Sequence, residues 1–217
     1  MTAELQSVVR GDQRGLKDRI DVLETLTPAR WAAERERIFR RAWLPVAHTV
    51  DFPEPGSYRV IEVPTFRASL LVTKARDGRI QAFHNICRHR GNKLVRAGAG
   101  RRLNFACGFH GWVWGADGVL QNIPDEAQFS SLDKCALGLI PVRTEVWEGF
   151  VFVTFDEQPR WTLAEWLGDF HDQFSGYWDG KEKLTGYQVE VKSNWSLCVG
   201  AFVEGYHTKY LHRLTAP

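Results

Sequence analysis

The 217-residue chain is poor in the features that mark several large classes of protein. Its formal net charge is only +2, so the composition does not indicate nucleic acid or a membrane surface as the main partner. The longest apolar run, from Phe150 to Phe155, is far too short to cross a bilayer. Residues 1–21 have no apolar core of the length that a signal peptide needs. These absences predict a cytoplasmic protein.

Nucleotide-binding loops are also missing from the sequence. Gly98 and Gly100 are followed neither by Gly-Lys-Ser/Thr nor by a complete Gly-x-Gly-x-x-Gly motif, which excludes the common phosphate-binding loops. Only four cysteines are present, and in a cytoplasmic chain of this size we expect them to be free, metal-bound or catalytic rather than paired in disulfides. A metal site is therefore the first possibility to test.

The sequence does contain successive regions with different patterns of apolar residues, and these patterns predict an α+β fold. Residues 1–43 are predicted to be a helical segment, with Thr27 as the cap of a helix that begins at Pro28. The predicted apolar face of this helix comprises Trp31, Ile38 and Phe39. Residues 44–157 predict a small antiparallel β domain, because short apolar runs such as YRVIEV and GFVFVTF alternate with turn residues.

Residues 158–217 predict a return to helical structure. A capping box from Thr162 to Glu165 opens this region, and a strand-like segment follows at residues 186–195. The predicted buried stripe of the helix comprises Leu163, Trp166, Leu167, Phe170 and Phe174.

Within the β region a cysteine and a histidine lie close together twice. Cys87 and His89 belong to the motif CRHRG, and Cys107 and His110 belong to CGFHGW. The complete pattern is C-x-H, seventeen residues, then C-x-x-H. Both halves follow strand-like segments, so we expect two hairpin tips to converge on one metal centre.

Three interpretations of this pattern compete. A tetrahedral zinc site has the right ligands, but zinc motifs usually pair Cys with Cys and His with His. A Rieske [2Fe–2S] centre requires the mixture, because two cysteines hold one iron and two histidines hold the other. The third interpretation is four unrelated buried side chains. The mixed spacing favours the iron–sulfur centre.

The motifs CRHRG and CGFHGW resemble the cluster-binding loops of the Rieske proteins, and specifically those of the large (alpha) subunits of Rieske non-haem iron, aromatic-ring-hydroxylating oxygenases. The resemblance implies that Cys87 and Cys107 bind one iron of a [2Fe-2S] cluster. It implies that His89 and His110 bind the other iron.

The same resemblance leads to a prediction of redox potential. Rieske proteins of respiratory complexes carry cysteines where this chain has Asn92 and Phe109, and a serine where it has Trp112. Without a disulfide clamp or a hydroxyl hydrogen bond to sulfur, the cluster is expected near the negative end of the Rieske range, at about −150 mV. Potentiometric titration checks this prediction, and a midpoint above about +100 mV would contradict it.

A basic segment follows the first cysteine. Residues 88–102, RHRGNKLVRAGAGRR, contain many basic side chains and no acidic one. One interpretation is docking of an acidic electron donor or of a neighbouring subunit's carboxylates. The other interpretation is a solvated loop.

A second group of potential metal ligands lies near the C-terminus. Glu204 and His207 are three residues apart and are predicted to share one face of a helix, and His212 follows five residues later. Two imidazoles and a carboxylate form the facial triad that holds Fe(II) in many oxygenases. Two histidines on a helix are more often structural, so this segment alone is a weak signal.

This segment resembles the mononuclear-iron segment of the same oxygenase family through its Asn-Trp pair, its E-x-Y-H motif and the later histidine. The resemblance implies that His207 and His212 bind Fe(II), while Glu204 carries electrons from a Rieske histidine of the adjacent subunit, typically in a homotrimer or with a small subunit. The family's third iron ligand is a carboxylate far downstream. The chain is therefore expected to be an N-terminal half, with residues 158–217 as the truncated start of a catalytic domain to which residues 1–43 also belong.

The expected function is that of a Rieske oxygenase component. A reductase, with or without a ferredoxin, would deliver electrons from NAD(P)H to the cluster, and dioxygen activated at Fe(II) would hydroxylate an aromatic or similar apolar substrate. The alternative is a Rieske ferredoxin-like electron carrier without a second iron site. The segment after residue 158 argues against a carrier, because such ferredoxins are little longer than the β region.

Overall fold

The computed structural model describes residues 26–129, 132–181, 189–205 and 207–214. Within these ranges every strand lies between Leu44 and Thr154. The strands are β1 (Leu44–His48), β2 (Ser57–Val63), β3 (Ala68–Lys74), β4 (Ile80–His84), β5 (Ala99–Arg101), β6 (Asn104–Ala106), β7 (Val113–Gly115), β8 (Leu120–Asn122), β9 (Pro141–Trp147) and β10 (Phe150–Thr154). Short 3₁₀ turns interrupt the connections at Thr49–Asp51, Pro64–Phe66, Glu126–Gln128 and Lys134–Leu137.

The strands form two antiparallel sheets. A seven-stranded sheet has the order β1-β10-β9-β4-β3-β2-β5, and a three-stranded sheet has the order β6-β7-β8. Every strand pair is antiparallel, and the β2–β3 hairpin is in register from Tyr58 opposite Thr73 to Val63 opposite Ala68. The antiparallel β region predicted from the alternating apolar runs is confirmed.

The large sheet is buried on both faces at β3, which explains the continuous apolar sequence of this strand. Leu70, Leu71 and Val72 are all fully buried. Because side chains alternate along a strand, Leu71 packs into a core that contains Cys87 and Cys107, whereas its neighbours on β3 pack into a second core with β10. The first core therefore connects the large sheet to the two motif loops.

Two hydrogen bonds attach the small sheet to its surroundings. The buried hydroxyl of Thr73 on β3 donates to the carbonyl of Ala116, at 2.6 Å. The indole N–H of Trp114, which is fully buried on β7, donates to the carbonyl of Leu137 at 3.0 Å. The small sheet is thus held from both sides by buried polar groups that have found partners.

The helix predicted to begin at Pro28 is confirmed, but its predicted apolar face is wrong. Helix α1 (Pro28–Glu34) has the Arg30 N–H donating to the Thr27 hydroxyl, and it continues as a π-helical turn, Arg35–Phe39. Trp31 and Ile38 are 37% and 46% exposed. Ile38 lies within the wider π turn, which changes the helical period on which the predicted face depends.

The capping box predicted at Thr162 is confirmed, but the single helix predicted after it is wrong. Two short helices form, α2 (Leu163–Leu167) and α3 (Asp169–Gln173). Gly168 separates them with φ +53° and ψ −137°, a conformation that glycine adopts without steric cost. Of the predicted stripe only Leu163 is buried, and Trp166 and Phe170 are exposed.

The described C-terminal residues contain helices α4 (Trp195–Val203) and α5 (Thr208–Leu211). The strand-like segment predicted at 186–195 is wrong where it can be checked, since residues 189–194 are irregular and Trp195 begins α4. Residues 186–188 lie outside the described ranges. Among the residues that the structure describes, no helix has both the length and the apolar character that crossing a membrane requires.

The chain divides into two compact units. One is Ala32–Lys181, which contains both sheets and both Cys-His motifs. The other comprises the described residues of Met1–Trp31 and Glu182–Pro217, among them Glu204 and both C-terminal histidines. Each unit is described by itself below.

Candidate metal centres

The two Cys-His motifs form loops that are closed in the same way. In the first loop, between β4 and β5, the Cys87 N–H donates to the Asn92 carbonyl at 2.8 Å. In the second loop, between β6 and β7, the Cys107 N–H donates to the Trp112 carbonyl at 2.8 Å. Both bonds join a cysteine to the residue five positions later, so the loops have equal length although the histidine is one position later in the second.

A glycine four positions after each cysteine makes this closure possible. Gly91 and Gly111 have φ of +72° and +71°, and the N–H of each donates to the carbonyl of its loop's cysteine at 2.9 Å. Side chains other than glycine rarely adopt this left-handed conformation. A Cβ on Gly111 would also lie 3.0 Å from Pro124 Cγ. The glycine of each motif is therefore a requirement of the loop's backbone.

The structure brings the two cysteines together in the buried core. Cys87 and Cys107 are 5% and 3% exposed, both are free thiols, and their side chains interact with each other. Burial raises the pKa of the Cys87 thiol. Burial acts in the same direction on Cys107, but the backbone N–H of Phe109, then the Asn92 amide and the backbone N–H of His110, together lower the pKa of that thiol. These donors are arranged to stabilise a thiolate, which is the form that binds metal.

The two histidines of the motifs lie beside each other. The ring centroids of His89 and His110 are 4.7 Å apart, and His110 is exposed. His89 stacks on the buried indole of Trp112, with centroids 4.9 Å apart and ring planes within 5° of parallel. Burial, followed by the charges of His110 and Arg90, lowers the pKa of His89. A neutral imidazole at pH 7 is what a metal ligand must be.

The histidine pair includes one buried nitrogen without a hydrogen-bond partner among the described residues. Nδ1 of His89 is fully buried and makes no hydrogen bond to any of the described residues. Such an orphaned group requires an explanation, and a bound metal is one of the usual ones. Among the described residues, no three or more His, Cys, Asp or Glu side chains converge on a single ion position. A Rieske cluster needs only a pair of protein ligands for each iron, so the two thiols and two imidazoles fit that group.

Asn85 supports the first loop and was missed in the sequence analysis. This buried side chain donates to the Val95 carbonyl at 2.7 Å and accepts from the Val95 N–H at 3.0 Å. It thereby joins the two ends of the loop that carries Cys87 and His89. The signal in the sequence was a polar residue in the apolar run FHNIC, directly before the motif.

The second group of candidate ligands lies around a break between helices. Asn194 caps helix α4, because its side-chain oxygen accepts from the Ser196 N–H at 2.9 Å, and the helix ends before Glu204. Glu204 is extended, with φ −111° and ψ 142°, and so the prediction that one continuous helix carries Glu204 and His207 is wrong. Gly205 follows at the break, where glycine's conformational entropy disfavours helix.

The break nevertheless leaves the three side chains close to one another. The Glu204 carboxylate contacts Nδ1 of His207, and the rings of His207 and His212 have centroids 5.3 Å apart. The two histidines flank the single-turn helix α5, one at each end. A carboxylate on one imidazole nitrogen fixes the ring and leaves the other nitrogen for a metal. As at the first site, no three of the described His, Cys, Asp and Glu side chains converge on one ion position.

Comparisons with known proteins agree with this geometry. Residues 42–142 match the Rieske [2Fe-2S] domain family. The large oxygenase component of the naphthalene 1,2-dioxygenase system of Pseudomonas aeruginosa is 36% identical over 192 residues, covering 82% of this chain and 41% of that protein. Chloroplastic choline monooxygenase of Spinacia oleracea is 30% identical over 200 residues, covering 87% of this chain and 44% of that protein. A quaternary ammonium Rieske monooxygenase, solved with an inhibitor, superimposes with a TM-score of 0.81 at 26% identity, covering 91% of this chain and 56% of that one.

The β region therefore defines the class of protein, since residues 42–142 form a Rieske [2Fe-2S] domain. More narrowly, the chain is homologous over most of its length to part of Rieske oxygenase proteins, among them the large oxygenase component of the naphthalene 1,2-dioxygenase system. It spans less than half the length of the curated relatives described above. The family match favours the iron–sulfur interpretation over zinc, and the assignment of the four side chains as cluster ligands stays a prediction.

Proposed function

We propose that this chain is the cluster-bearing part of a Rieske oxygenase large component that hydroxylates an aromatic or similar apolar substrate. The observation that carries the proposal is a pair of interacting buried thiols together with a pair of adjacent imidazoles, one of which has a buried nitrogen without a partner in the described chain. Cys87 and Cys107 would hold one iron, and His89 and His110 the other. The [2Fe-2S] cluster supplies one-electron transfer, and the mononuclear Fe(II) supplies dioxygen activation.

The position of the histidines supports electron entry at their end of the site. The thiols are buried whereas His110 and the adjacent Phe109 are exposed, so a donor protein can approach the imidazoles more closely than the sulfurs. A reductase, with or without a ferredoxin, would be the donor. The basic side chains of residues 88–102 would favour an acidic partner surface at this end.

At the second site, His207 and His212 would bind Fe(II), and Glu204 would hold the His207 ring and connect it to a Rieske histidine of an adjacent subunit. The contact between Glu204 and His207 supports the first part of that role. The complete protein is proposed to be a homotrimer, alone or with a small subunit, because the link from Glu204 to a Rieske histidine of an adjacent subunit requires a second copy of the chain. We also propose that the chain divides into domains at residues 1–43, 44–157 and 158–217. A cytoplasmic location is proposed because the reductant NAD(P)H is available there.

The substrate class is proposed from the relatives. The curated relatives include systems for naphthalene and 2,4-dinitrotoluene at 36% and 35% identity, and choline monooxygenase at 30%. We propose an aromatic substrate because the identities to the naphthalene and 2,4-dinitrotoluene systems are higher than the identity to choline monooxygenase. A quaternary ammonium substrate is the second candidate, and naphthalene and choline supplied to the complete enzyme with its electron donors distinguish the two.

Iron and sulfide analysis with EPR tests the cluster assignment. The purified chain is expected to contain two irons and two acid-labile sulfides, as the domain's cofactor requires. After reduction with dithionite it should give a rhombic EPR signal of low average g. Zinc in place of iron and sulfide would overturn the assignment.

Variants of the second site separate an oxygenase from an electron carrier. In the complete enzyme with its electron donors, His207→Ala and His212→Ala should abolish hydroxylation while the Rieske EPR signal persists. His171→Ala on α3 is the matched control, because this histidine belongs to neither candidate site. Hydroxylation that survives both substitutions would exclude these residues as iron ligands.

A further inference from the structure

The residue five positions after each cysteine reaches across to the opposite loop. Trp112, at this position in the second loop, stacks on His89 of the first loop. Asn92, at the same position in the first loop, extends its amide toward Cys107 of the second loop, with Nδ2 3.5 Å from Sγ. The two loops thus exchange contacts reciprocally, one with an imidazole and the other with a thiol.

The backbone of Asn92 is fixed by the loop closure. Its carbonyl accepts from the Cys87 N–H at 2.8 Å, and its amide also donates to the Lys93 carbonyl at 3.2 Å. A side-chain amide has two N–H groups, so one can serve Lys93 while the other serves the sulfur. A nitrogen-to-sulfur distance of 3.5 Å is within hydrogen-bonding range because sulfur is larger than oxygen.

We propose that Asn92 tunes the reduction potential of the cluster by donating a side-chain hydrogen bond to the sulfur of Cys107. The inference rests on the cluster ligands assigned under the proposed function. Reduction adds one electron to the cluster, and no bond to a protein ligand is made or broken. A hydrogen bond to a ligand sulfur stabilises the added negative charge, and it therefore favours the reduced state.

This donor bears on the low potential expected from the sequence. That expectation counted a serine hydroxyl as the missing donor and assigned no role to Asn92. The amide provides a hydrogen bond to sulfur from the other loop. The potential of the native chain should therefore lie above that of a variant that lacks the amide, although both fall in the lower part of the Rieske range.

The test is a potentiometric titration of Asn92→Leu, followed by the EPR signal of the reduced cluster. Leucine has a similar size and donates no hydrogen bond. We expect the equilibrium constant for reduction to fall about tenfold, which is about 59 mV for a one-electron couple. Asn122→Leu is the matched control, since Asn122 is an exposed amide on β8. The reduction potential of the cluster in this variant should equal that in the native chain.

A second variant keeps the test decisive if Asn92→Leu does not assemble a cluster. Asn92→Asp preserves the shape of the side chain but replaces the donor with a negative charge, so its potential should fall below that of the native chain by at least as much. An unchanged potential in either variant, with the native EPR signal retained, would overturn the role of Asn92 alone. A native chain without the rhombic signal would overturn the cluster assignment and this inference with it.

Discussion

At the scale of single residues, the candidate cluster site depends on backbone conformations that only certain residues allow. Gly91 and Gly111 occupy equivalent left-handed positions in the two loops. Each uses its N–H to close the turn on the preceding cysteine carbonyl. The histidine ligand proposed in each loop lies immediately before the glycine or one residue further back, so the glycine conformation also directs the imidazole.

Gly111→Ala should therefore impair the cluster. Alanine at φ +71° is strained by about 1–2 kcal/mol, and its Cβ would crowd Pro124. We expect lower iron and sulfide content and a weaker rhombic EPR signal. Gly108→Ala in the same loop is the matched control, since a Cβ there meets no atom within 4 Å. Equal cluster content in the two variants would contradict the prediction.

Asn85 acts at the same scale through hydrogen bonds. Asn85→Leu should lower the free energy of unfolding by about 1–3 kcal/mol, because it leaves the buried Val95 N–H and carbonyl without their partner. Denaturant unfolding of the cluster-containing chain measures this loss. Asn104→Leu, at an exposed position on β6, should change stability by less than about 0.5 kcal/mol. A loss of that small size at Asn85 would show that the loop ends do not depend on its amide.

At the scale of secondary-structure elements, local capping sets where helix α2 begins, whereas a glycine sets where it ends. The Thr162 hydroxyl accepts from the Glu165 N–H, and the Glu165 carboxylate accepts from the Thr162 N–H in return. The helix that this box starts extends only to Leu167, because Gly168 turns the backbone out of the helical region. The same local chemistry that starts α2 has no influence on where it stops.

Thr162→Ala should destabilise the chain by about 1 kcal/mol, since it removes the cap of α2.

The reciprocal bond from the Thr162 N–H, and then the Thr162 hydroxyl, lower the pKa of Glu165 below its ordinary value of 4.5. A carboxylate with a lowered folded-state pKa stabilises the fold above its unfolded-state pKa, and the contribution is lost as the pH falls through the folded-state pKa.

Glu165→Gln checks the sign of this effect. The native chain should have the higher Tm at pH 7, and the difference should shrink as the pH falls below 4.5. Thermal unfolding monitored by circular dichroism at pH 7 and pH 3 measures it. A difference that grows toward pH 3 would mean that the carboxylate is not bound to the N–H of Thr162 in solution.

At the scale of the whole molecule, the candidate cluster is part of one of the cores. Cys87 and Cys107 pack in the same core as Phe105, Trp112 and Trp114. The core on the other face of the large sheet, built around β3 and β10, contains neither cysteine. Cluster assembly should therefore stabilise the first core directly and the second only through the sheet between them.

A cluster-free variant tests this division. Cys87→Ser should lower the Tm, and hydrogen exchange should show lost protection in β6, β7 and β8 while β3 and β10 stay protected. Cys135→Ser is the matched control, because Cys135 is a free, exposed cysteine outside both motifs. Uniform loss of protection in both sheets would show that the two cores fold as one cooperative unit.

The sequence by itself determined the Rieske class of the β region, because the cysteine and histidine of each motif are neighbours in the chain and their spacing survives in any fold. It also determined the β region, the helix start at Pro28 and the capping box at Thr162, since alternation and capping act over a few residues. The redox prediction and the residue-level ligand assignments stay predictions until the cluster is measured.

The tertiary structure alone decided which residues support that chemistry. Asn85 holds Val95, Asn92 reaches Cys107, and Trp112 stacks on His89. Each of these contacts joins residues that are 10 to 23 positions apart, a separation over which no local sequence pattern acts. The breaks at Gly168 and Glu204 were missed for a related reason. Apolar spacing predicts which side chains can share a face, but the backbone conformation at a single residue decides whether the helix continues.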